Sequence, residues 1–328
     1  MPDTISLIVP VYNEELGLSS FHERLSHVLA ESSTNTEIVY VNDGSSDGSK
    51  DVLNRLMADD RRICILDLSR NFGKEVAISA GLDYCRGDAA VIIDADEQDP
   101  PELITEFIHW WQRGYDVVYG QRKDRSGDSW LKRHTSSWFY SVMSRLSKID
   151  IPRDAGDFRL LSRRAIDALG ELRETHRYMK GLYAWIGFPQ KAVPYSREVR
   201  ASGESKWTYW RLWNFALEGI TSFSDAPLKL ATYIGLVTAF GAFAYGIYII
   251  LSTLIYGNPI PGYPSLLVVV LFLGGAQLIG LGIIGEYLAR NYKESKRRKL
   301  YFVNEFLRTE TRDSTKAKLK DAASQHSH

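Results

Sequence analysis

The sequence contains few cysteines and has no excess charge of either sign. Only Cys64 and Cys85 occur among 328 residues, and both lie in apolar segments. Two such thiols form neither a disulfide framework nor a zinc cluster, so we expect both in the core. Lys and Arg together number 40, as do Asp and Glu, so no overall electrostatic field favours nucleic acid or a strongly acidic partner.

A recognisable secretory leader is also missing. Met1–Thr4 lead directly into an apolar run, without the basic segment, apolar region and small-residue cleavage site of a signal peptide. We therefore predict no secretory signal.

Short apolar runs alternate with helix-like stretches over the first two hundred residues. The runs predict strands at Ile5–Val9, Glu37–Val41, Ile63–Leu68, Ala89–Ile93, Asp116–Tyr119 and Gln190–Tyr195, and the stretch Asp154–Leu161 predicts a turn that leads into another strand. The other stretches predict helices at Leu18–Ala30, Ser49–Met57, Gly73–Tyr84 and Pro101–Arg113, and an amphipathic segment after Ser129. This alternation is typical of βαβ units and predicts an α/β fold, Rossmann-like, with a mostly parallel sheet covered by helices on both faces.

The apolar run Val91–Ile93 ends abruptly in acidic residues. Pro100 and Pro101 stop the strand and can open a helix. Asp94 and Asp96 are thus predicted at the carboxyl edge of a parallel sheet, where open α/β sheets bind ligands. Their oxygens suit Mg²⁺ or Mn²⁺, which in turn hold substrate phosphates. A turn that only caps the following helix explains the same residues equally well.

The loops after the first strands carry further polar groups. Tyr12 and Glu14 offer an aromatic ring beside a carboxylate, which suits stacking on a base and accepting its hydrogen bonds. Asp43 opens a glycine-containing turn, where it can bind a ribose hydroxyl or a base edge. Lys74, at a helix start, is a candidate phosphate contact. Ordinary βα turns and a solvated surface lysine are the alternatives that these residues leave open.

Beyond residue 200 the composition changes. Trp207–Leu217 contains five aromatic residues in a helix-compatible span, which suits a membrane interface. Leu228–Ile255 is apolar apart from Lys229 and a few hydroxyls, and Leu266–Ile284 has no charged residue. Each can span a bilayer, which takes about 20 residues, and basic residues flank the pair, so the positive-inside rule predicts a hairpin with both ends in the cytoplasm. Buried helices of a soluble core are the alternative.

Six motifs occur in order along the chain: Pro10–Glu14, Asn42–Asp47, Asp94–Pro100, Gly120–Arg122, Gly156–Arg159 and Arg200–Trp207. Together they resemble the family 2 glycosyltransferases of GT-A fold. The branch that looks most similar is the polyprenyl-phosphate hexosyltransferases, which include dolichol-phosphate mannose synthase and the bactoprenol glucosyltransferases. The resemblance covers about residues 5 to 300, and the ordered series is far more specific than any single motif.

The resemblance implies a role for residues in each motif. The residues implied to bind the nucleotide sugar are Pro10, Tyr12, Glu14, Asp43, Lys74, Asp94, Ala95, Asp96, Arg200 and Lys206. The implied metal ligands are Asp94, Asp96 and Gln98, the implied acceptor-phosphate contacts are Arg122, Arg133 and Ser137, and the implied catalytic residues are Asp157 and Asp96. One position departs from the branch, because Glu97 stands where an apolar residue such as Leu is common.

The apolar and charge patterns, together with the resemblance, predict how the chain is divided. The expected segments are a GT-A catalytic domain over 1–206, an interfacial amphipathic region over 207–227, a two-helix transmembrane hairpin over 228–289 with helices at about 228–255 and 266–288, a basic cytoplasmic segment over 290–308 and a disordered tail over 309–328. Glycines of the second apolar helix and the extension Tyr301–Leu307 offer surfaces for self-association, so we expect a homo-oligomer.

The activity implied by the resemblance is metal-dependent, inverting transfer of a hexose from a nucleotide sugar to polyprenyl phosphate at the cytoplasmic membrane face. Glucose, UDP-glucose, undecaprenyl phosphate and Mg²⁺ or Mn²⁺ are the first expectations, and no nucleic acid partner is expected. Mannosyl or aminoarabinosyl transfer to the same lipid is the alternative within the branch. A non-catalytic, membrane-tethered sugar-nucleotide sensor is an alternative of another class. A processive polysaccharide synthase is disfavoured because the sequence lacks Q-x-x-R-W.

Overall fold

The computed structural model describes residues 3–30, 34–122, 152, 155–175, 177–196, 226–256 and 262–309. The strands in these ranges are β1 Thr4–Val11, β2 Asn35–Asn42, β3 Ile63–Leu68, β4 Ala89–Ile92, β5 Val117–Arg122, β6 Ala155–Ser162, β7 Gln190–Tyr195 and β8 Val303–Arg308. The helices are α1 Leu18–Ala30, α2 Ser49–Asp59, α3 Lys74–Tyr84, α4 Leu103–Gln112, α5 Arg163–Glu171, α6 Met179–Trp185, α7 Ala226–Tyr256 and α8 Tyr263–Ser295. The segments predicted after Ser129 and at 207–225 lie outside the described residues.

The strands form one sheet in the order β7-β5-β6-β4-β1-β2-β3-β8. The pairs β1–β2, β1–β4, β2–β3 and β5–β7 are parallel. Strand β6 is antiparallel to both β4 and β5, and β8 is antiparallel to β3. The predicted α/β fold with a mostly parallel sheet is confirmed.

The sheet is buried on both faces, which explains why its strands read as continuous apolar runs. Side chains alternate along β1, so Leu7 and Val9 pack with α1, α2 and α4, whereas Ile8 packs with α3, α5 and α6. All three residues are fully buried. This core fixes the carboxyl ends of β1 to β4 side by side at one edge of the sheet.

Helices α7 and α8 contain two candidate membrane spans. Ala231–Tyr256 and Val268–Ser295 are 26 and 28 residues long, and both are long and apolar enough to cross a bilayer. None of their most apolar stretch is buried in the protein, whereas a core helix of a soluble domain would be. The alternative of buried core helices is therefore not supported, and the two helices are compatible with the predicted hairpin.

A strand follows the second apolar helix. β8 pairs antiparallel with β3, with Phe306 opposite Leu66. The Arg308 guanidinium, buried at its end, donates to the Glu37 carboxylate on β2 at 2.9 Å. The segment Tyr301–Leu307, where we expected a surface for self-association, thus contributes most of a strand at this edge of the sheet. Charged residues interrupt its short apolar run, so the pattern resembled a loop.

Candidate active site

Four of the predicted loops meet at the carboxyl edge of the sheet, after β1, β2, β3 and β4. The β1 and β2 loops are joined by hydrogen bonds. The Asn13 N–H donates to Ser45 Oγ at 3.1 Å, the Ser46 N–H donates to Asn13 Oδ1 at 2.9 Å, and the Glu14 N–H donates to Ser49 Oγ at 2.9 Å. Asn13 has a φ of 56°, a left-handed conformation that asparagine tolerates better than most residues.

Tyr12 and Pro10 lie in this joined region. Pro10, the residue before the last of β1, pairs with Val41 of β2. The Tyr12 side chain is 49% exposed at the edge of the sheet, although tyrosine rings are large and are usually well covered. The arrangement therefore leaves an aromatic surface where the sequence predicted stacking on a base.

Asp43 connects the β2 loop to the turn that precedes Lys74. Its buried carboxylate accepts the Phe72 N–H at 2.7 Å on Oδ1 and the Gly73 N–H at 2.9 Å on Oδ2. Burial raises the pKa of Asp43, and the two N–H donors oppose that rise only in part. Each oxygen keeps a second lone pair, so the predicted nucleotide contact is compatible with this role in holding the loop.

Gly44 makes this close approach of two loops possible. Its φ is 64°, and a Cβ at this position would lie 2.4 Å from the Arg70 carbonyl carbon. Only glycine combines a left-handed backbone with so near a neighbour.

The pairing of β4 with β6 brings two carboxylates, those of Asp94 and Asp157, together at the centre of the site. Val91 pairs with Leu160 and Ile92 with Arg159, in antiparallel register. Two residues further along β4 and two residues back along β6 lie Asp94 and Asp157, so the register directs these carboxylates to the same place. Both approach one ammonium group: Lys74 Nζ lies 2.7 Å from Asp94 Oδ2 and 2.8 Å from Asp157 Oδ2.

The charges of this cluster depend on one another. Burial by itself raises the pKa of Asp157, but the positive charges of Lys74 and Lys180 outweigh burial and lower the pKa to about 2. Burial also raises the pKa of Asp94; Lys74 opposes this and the Asp157 charge adds to it, so the pKa of Asp94 lies above its usual range. Asp157 is therefore an anion at neutral pH and a weak proton acceptor.

The oxygen atoms of the β4 loop are the candidate ligands for a divalent cation. Among the described residues, no group of three or more His, Cys, Asp or Glu side chains is arranged to hold a metal ion. Two carboxylates nevertheless converge on a positive charge, and Asp96 lies partly exposed two residues beyond Asp94. Asp96 Oδ1 accepts the Gln98 N–H at 3.2 Å, and Ala95 between the two acids is buried. Hard oxygen donors of this kind fit Mg²⁺ or Mn²⁺.

The predicted acceptor contact Arg122 lies at the end of β5, beside this cluster. Its guanidinium Nη2 lies 3.6 Å from the position that a Cβ on Gly156 would occupy, next to Asp157. Arg122 also hydrogen-bonds Tyr195, whose hydroxyl donates to the buried Asp99. Its Nε is buried and has no hydrogen-bond partner among the described residues. The other predicted cationic and acceptor contacts, Arg133, Ser137, Arg200 and Lys206, lie outside the described ranges.

Comparison with known proteins decides the family. Residues 6–170 match the family model described as Glycosyl transferase family 2. The chain belongs to glycosyltransferase family 2. It is therefore an enzyme of the glycosyltransferase class, as the ordered motifs predicted.

Relatives of this glycosyltransferase are similar over nearly their whole length. It is 50% identical over 301 residues, 92% of this chain and 95% of the relative, to an uncharacterized glycosyltransferase of Synechocystis sp.. It is 48% identical over 299 residues, 91% of this chain and 97% of the relative, to the bactoprenol glucosyl transferase of Shigella phage SfV. It is 47% identical over 299 residues, 91% of this chain and 98% of the relative, to the prophage bactoprenol glucosyl transferase homolog of Escherichia coli K12.

Solved structures are more distant. Glucosyl-3-phosphoglycerate synthase from Mycobacterium tuberculosis, crystallised with Mn²⁺, UDP-glucose and phosphoglyceric acid, is 17% identical with a TM-score of 0.46. The match covers 67% of this chain and 78% of that one. A score of this size says nothing about the substrates of the present glycosyltransferase.

The sequence patterns assigned no role to two cationic residues of the site. Arg159 on β6 is buried, with its guanidinium carbon 3.6 Å from the Tyr183 ring centroid and its Nη2 donating to the Gly156 carbonyl oxygen at 2.6 Å. Lys180 on α6 is partly buried and close enough to Asp157 to lower its pKa. The available signal was a lysine inside the otherwise apolar stretch Tyr178–Trp185, which is uncommon in a buried helix.

Glu97, the departure from the branch pattern, has two features in the structure. Its φ is 57°, a left-handed conformation that is uncommon outside glycine and asparagine. Its carboxylate accepts the Ser20 hydroxyl of α1 at 2.6 Å. The glutamate thus attaches the β4 loop to α1, and strained backbone of this kind occurs at functional loops.

We expect Glu97→Leu to retain or raise turnover, because it removes a negative charge beside Asp94 and Asp96 where an anionic diphosphate is expected. The same change removes the hydrogen bond from Ser20, so the free energy of unfolding should fall by about 1 kcal/mol. Ser20→Ala removes that bond and keeps the charge, and should lower stability without raising turnover. A Leu variant with markedly lower turnover, while Ser20→Ala stays normal, would show that Glu97 has a role of its own.

Proposed function

We propose that this glycosyltransferase transfers a hexose, glucose by preference, from UDP-glucose to undecaprenyl phosphate. The observation that carries the proposal is the 46–50% identity to relatives of which several are named bactoprenol glucosyl transferases, over 91% or more of this chain. At that coverage the similarity includes both apolar helices. A lipid acceptor also accounts for two exposed apolar helices attached to a nucleotide-type α/β domain.

The donor would lie along the carboxyl edge of the sheet. Tyr12 would stack on the base, and Glu14 and Asp43 would accept hydrogen bonds from the base or ribose. Asp94, Asp96 and Gln98 would hold Mg²⁺ or Mn²⁺, which would neutralise charge on the departing diphosphate. Arg200 and Lys206 would close over the diphosphate, as the family resemblance implies.

The acceptor supplies its own nucleophile. A phosphate monoester has a second pKa near 6, so it is mostly a dianion at pH 7. A strong general base is then unnecessary, which agrees with the low pKa of Asp157. Asp157 would orient the sugar or the acceptor phosphate, and Arg122, with Arg133 and Ser137, would reduce the repulsion between two anionic substrates.

The membrane accounts for the rest of the chain. The polyprenyl tail stays in the bilayer while its phosphate reaches the interface, so the enzyme must meet it there. Helices α7 and α8 would form the hairpin, with the catalytic domain and both termini in the cytoplasm. Trp207, Trp210 and Trp213 would hold the domain at headgroup level.

The proposal is tested by incubating the full-length protein with undecaprenyl phosphate and a panel of labelled nucleotide sugars. We expect label in the lipid with UDP-glucose and little with UDP-GlcNAc or GDP-mannose, although single pocket contacts worth about 1–3 kcal/mol set this choice. Label from a mannose or aminoarabinose donor alone would identify the protein as a mannosyl- or aminoarabinosyl-transferase that acts on the same lipid. No transfer from any donor would favour the sensor.

The product reports the stereochemistry. In-line attack from the face opposite the leaving group inverts the anomeric centre, so an α-linked donor should give a β-linked glucosyl phosphate. The proton coupling constant at the anomeric carbon of the lipid product distinguishes the two anomers by NMR. An α-linked product would contradict inversion.

A further inference from the structure

Asp67, one residue before the end of β3, is a buried carboxylate to which the proposed mechanism gives no role. Its Oδ1 accepts the Asn42 amide at 2.7 Å. Its Oδ2 accepts the Lys50 ammonium at 2.7 Å and the Asn304 amide at 2.9 Å. Burial by itself raises the pKa of Asp67, but these three donors outweigh burial and lower the pKa. Asp67 is therefore an anion at neutral pH, held by side chains of β2, α2 and β8.

The charge of Asp67 fixes the orientation of the Asn42 side chain. A carboxylate only accepts hydrogen bonds, so the NH2 end of the Asn42 amide must face Asp67. The amide oxygen then points the other way, where Asn42 Oδ1 accepts the Ser45 N–H at 3.2 Å. Asn42 is 2% exposed, so water has little access to replace either bond.

The bond from Asn42 to Ser45 orders the loop at which the donor nucleoside is proposed to bind. Asp43 directly follows Asn42 in the chain. Ser45 Oγ accepts the Asn13 N–H at 3.1 Å, and Asn13 follows Tyr12. The two residues proposed to contact the nucleoside, Tyr12 and Asp43, thus both lie next to a residue of this hydrogen-bond network.

One donor to Asp67 comes from beyond the two apolar helices. Helix α8 ends at Ser295, and β8 begins at Val303 and places Glu305 opposite Asp67. The Asn304 amide, on the residue before Glu305, reaches the Asp67 carboxylate. The chain that continues from α8 is thereby joined to the loop after β2 through two side chains.

We propose that Asp67 is a positioning residue that holds, through Asn42, the loop that binds the nucleoside of the donor. Asn304 and Lys50 keep the carboxylate in place, so β8 contributes to the affinity for the nucleotide. The proposal rests on the function proposed above, which places the donor nucleotide at this loop.

The nucleotide affinity of the full-length protein in detergent tests the proposal. Asp67→Asn keeps the size of the side chain, but an amide both donates and accepts, so it no longer dictates which end of the Asn42 amide faces it. We expect the Kd for UDP in the presence of Mg²⁺, measured by calorimetry, to rise about tenfold, which is about the effect of losing one hydrogen bond to a charged group. Asn304→Ala leaves the carboxylate and should raise this Kd about threefold. An unchanged Kd in Asp67→Asn would overturn the proposal, and an unchanged Kd in Asn304→Ala alone would overturn the contribution of β8.

Tyr301→Phe is the matched control for the segment after α8. It removes a hydrogen bond of the same kind, from the Tyr301 hydroxyl to the Asp83 carboxylate at 2.7 Å, near the C-terminal end of α3. This variant should leave the Kd for UDP unchanged. A rise equal to that of Asn304→Ala would show that any loosening of β8 weakens binding, and would overturn the specific route through Asp67.

A double-mutant cycle tests whether Asp67 acts through Asn42. Asn42→Ala alone should raise the Kd for UDP. Adding Asp67→Asn to Asn42→Ala should raise the Kd no further, because the bond between the two side chains is already gone. Additive losses would contradict this route.

Steady-state kinetics separate positioning from a general loss of stability. In Asp67→Asn the KM for UDP-glucose should rise about tenfold, while the KM for undecaprenyl phosphate should stay within twofold of the wild type. Equal rises in both KM values would overturn the proposal, because a purely structural role affects both substrates.

The binding measurement needs neither an acceptor nor turnover. If the wild type bound UDP but transferred no sugar, the proposed function would fail while the affinities for UDP still decided the role of Asp67. If the wild type did not bind UDP, the same titrations with GDP and CDP would decide it, and a wild type that bound none of the three nucleotides would overturn the proposal.

Discussion

Asp96→Ala should nearly abolish sugar transfer, with turnover lowered at least 10²- to 10³-fold, the usual effect of removing one preorganised charge contact. Asp96 lies two residues beyond Asp94 in the loop after β4, where hard oxygen donors meet the expected diphosphate. Initial rates with labelled donor at saturating lipid measure the effect. Asp51→Ala, which removes an exposed carboxylate on α2, is the matched control and should change turnover less than twofold.

The same variant distinguishes a metal ligand from a helix cap. If Asp96 helps to hold the cation, any residual rate should require a higher Mg²⁺ or Mn²⁺ concentration than the wild type. If it only orders the turn through the Gln98 N–H, the unfolding temperature should fall and the metal requirement should stay the same. Turnover within tenfold of the wild type would contradict the proposed role.

Lys74→Met should lower turnover about 10²-fold, because one ammonium group serves two carboxylates. Its removal leaves Asp94 and Asp157 facing each other without the cation that both now contact. The Asp157 pKa should then rise from about 2, since the first opposing charge is lost. Single-turnover rates at saturating donor and acceptor measure the effect on the chemical step.

A double-mutant cycle tells whether Lys74 acts through the carboxylates or on the substrate. Asp157→Asn keeps the shape of the side chain and removes its charge. If Asp157 only orients a substrate, this change should lower turnover less than about tenfold. In the Lys74→Met background, Asp157→Asn should lower turnover little or restore it, because the repulsion between Asp94 and Asp157 is relieved. Additive losses would show that Lys74 contacts a substrate phosphate directly. Complete loss in Asp157→Asn with unchanged donor affinity would favour a base.

The sequence predicted the elements of this fold well because their signals are local. Apolar runs of four to eight residues and amphipathic periods gave every strand from β1 to β7, and helix α1 at its observed bounds. The loop residues that meet at the sheet edge followed from the same pattern, because parallel strands end on one side.

The centre of the site depends on pairings that no local pattern contains. Asp94 and Asp157 are 63 positions apart, and they meet only because β6 runs antiparallel to β4 in one register. The bond between Glu97 and Ser20 likewise joins the β4 loop to helix α1, whose sequences carry no sign of each other. Strand β8 was missed for a related reason, since its edge position requires little apolar sequence of its own.

We propose that this glycosyltransferase uses a lipid phosphate as its acceptor, with a divalent cation at the β4 loop. The most direct measurement is the transfer of labelled glucose from UDP-glucose into the organic phase by the purified protein, with undecaprenyl phosphate or undecaprenol as acceptor. We predict label with undecaprenyl phosphate and Mg²⁺ or Mn²⁺, and none with undecaprenol or with EDTA. Equal labelling of both lipids would contradict the lipid phosphate as acceptor, and full labelling in EDTA would contradict the divalent cation.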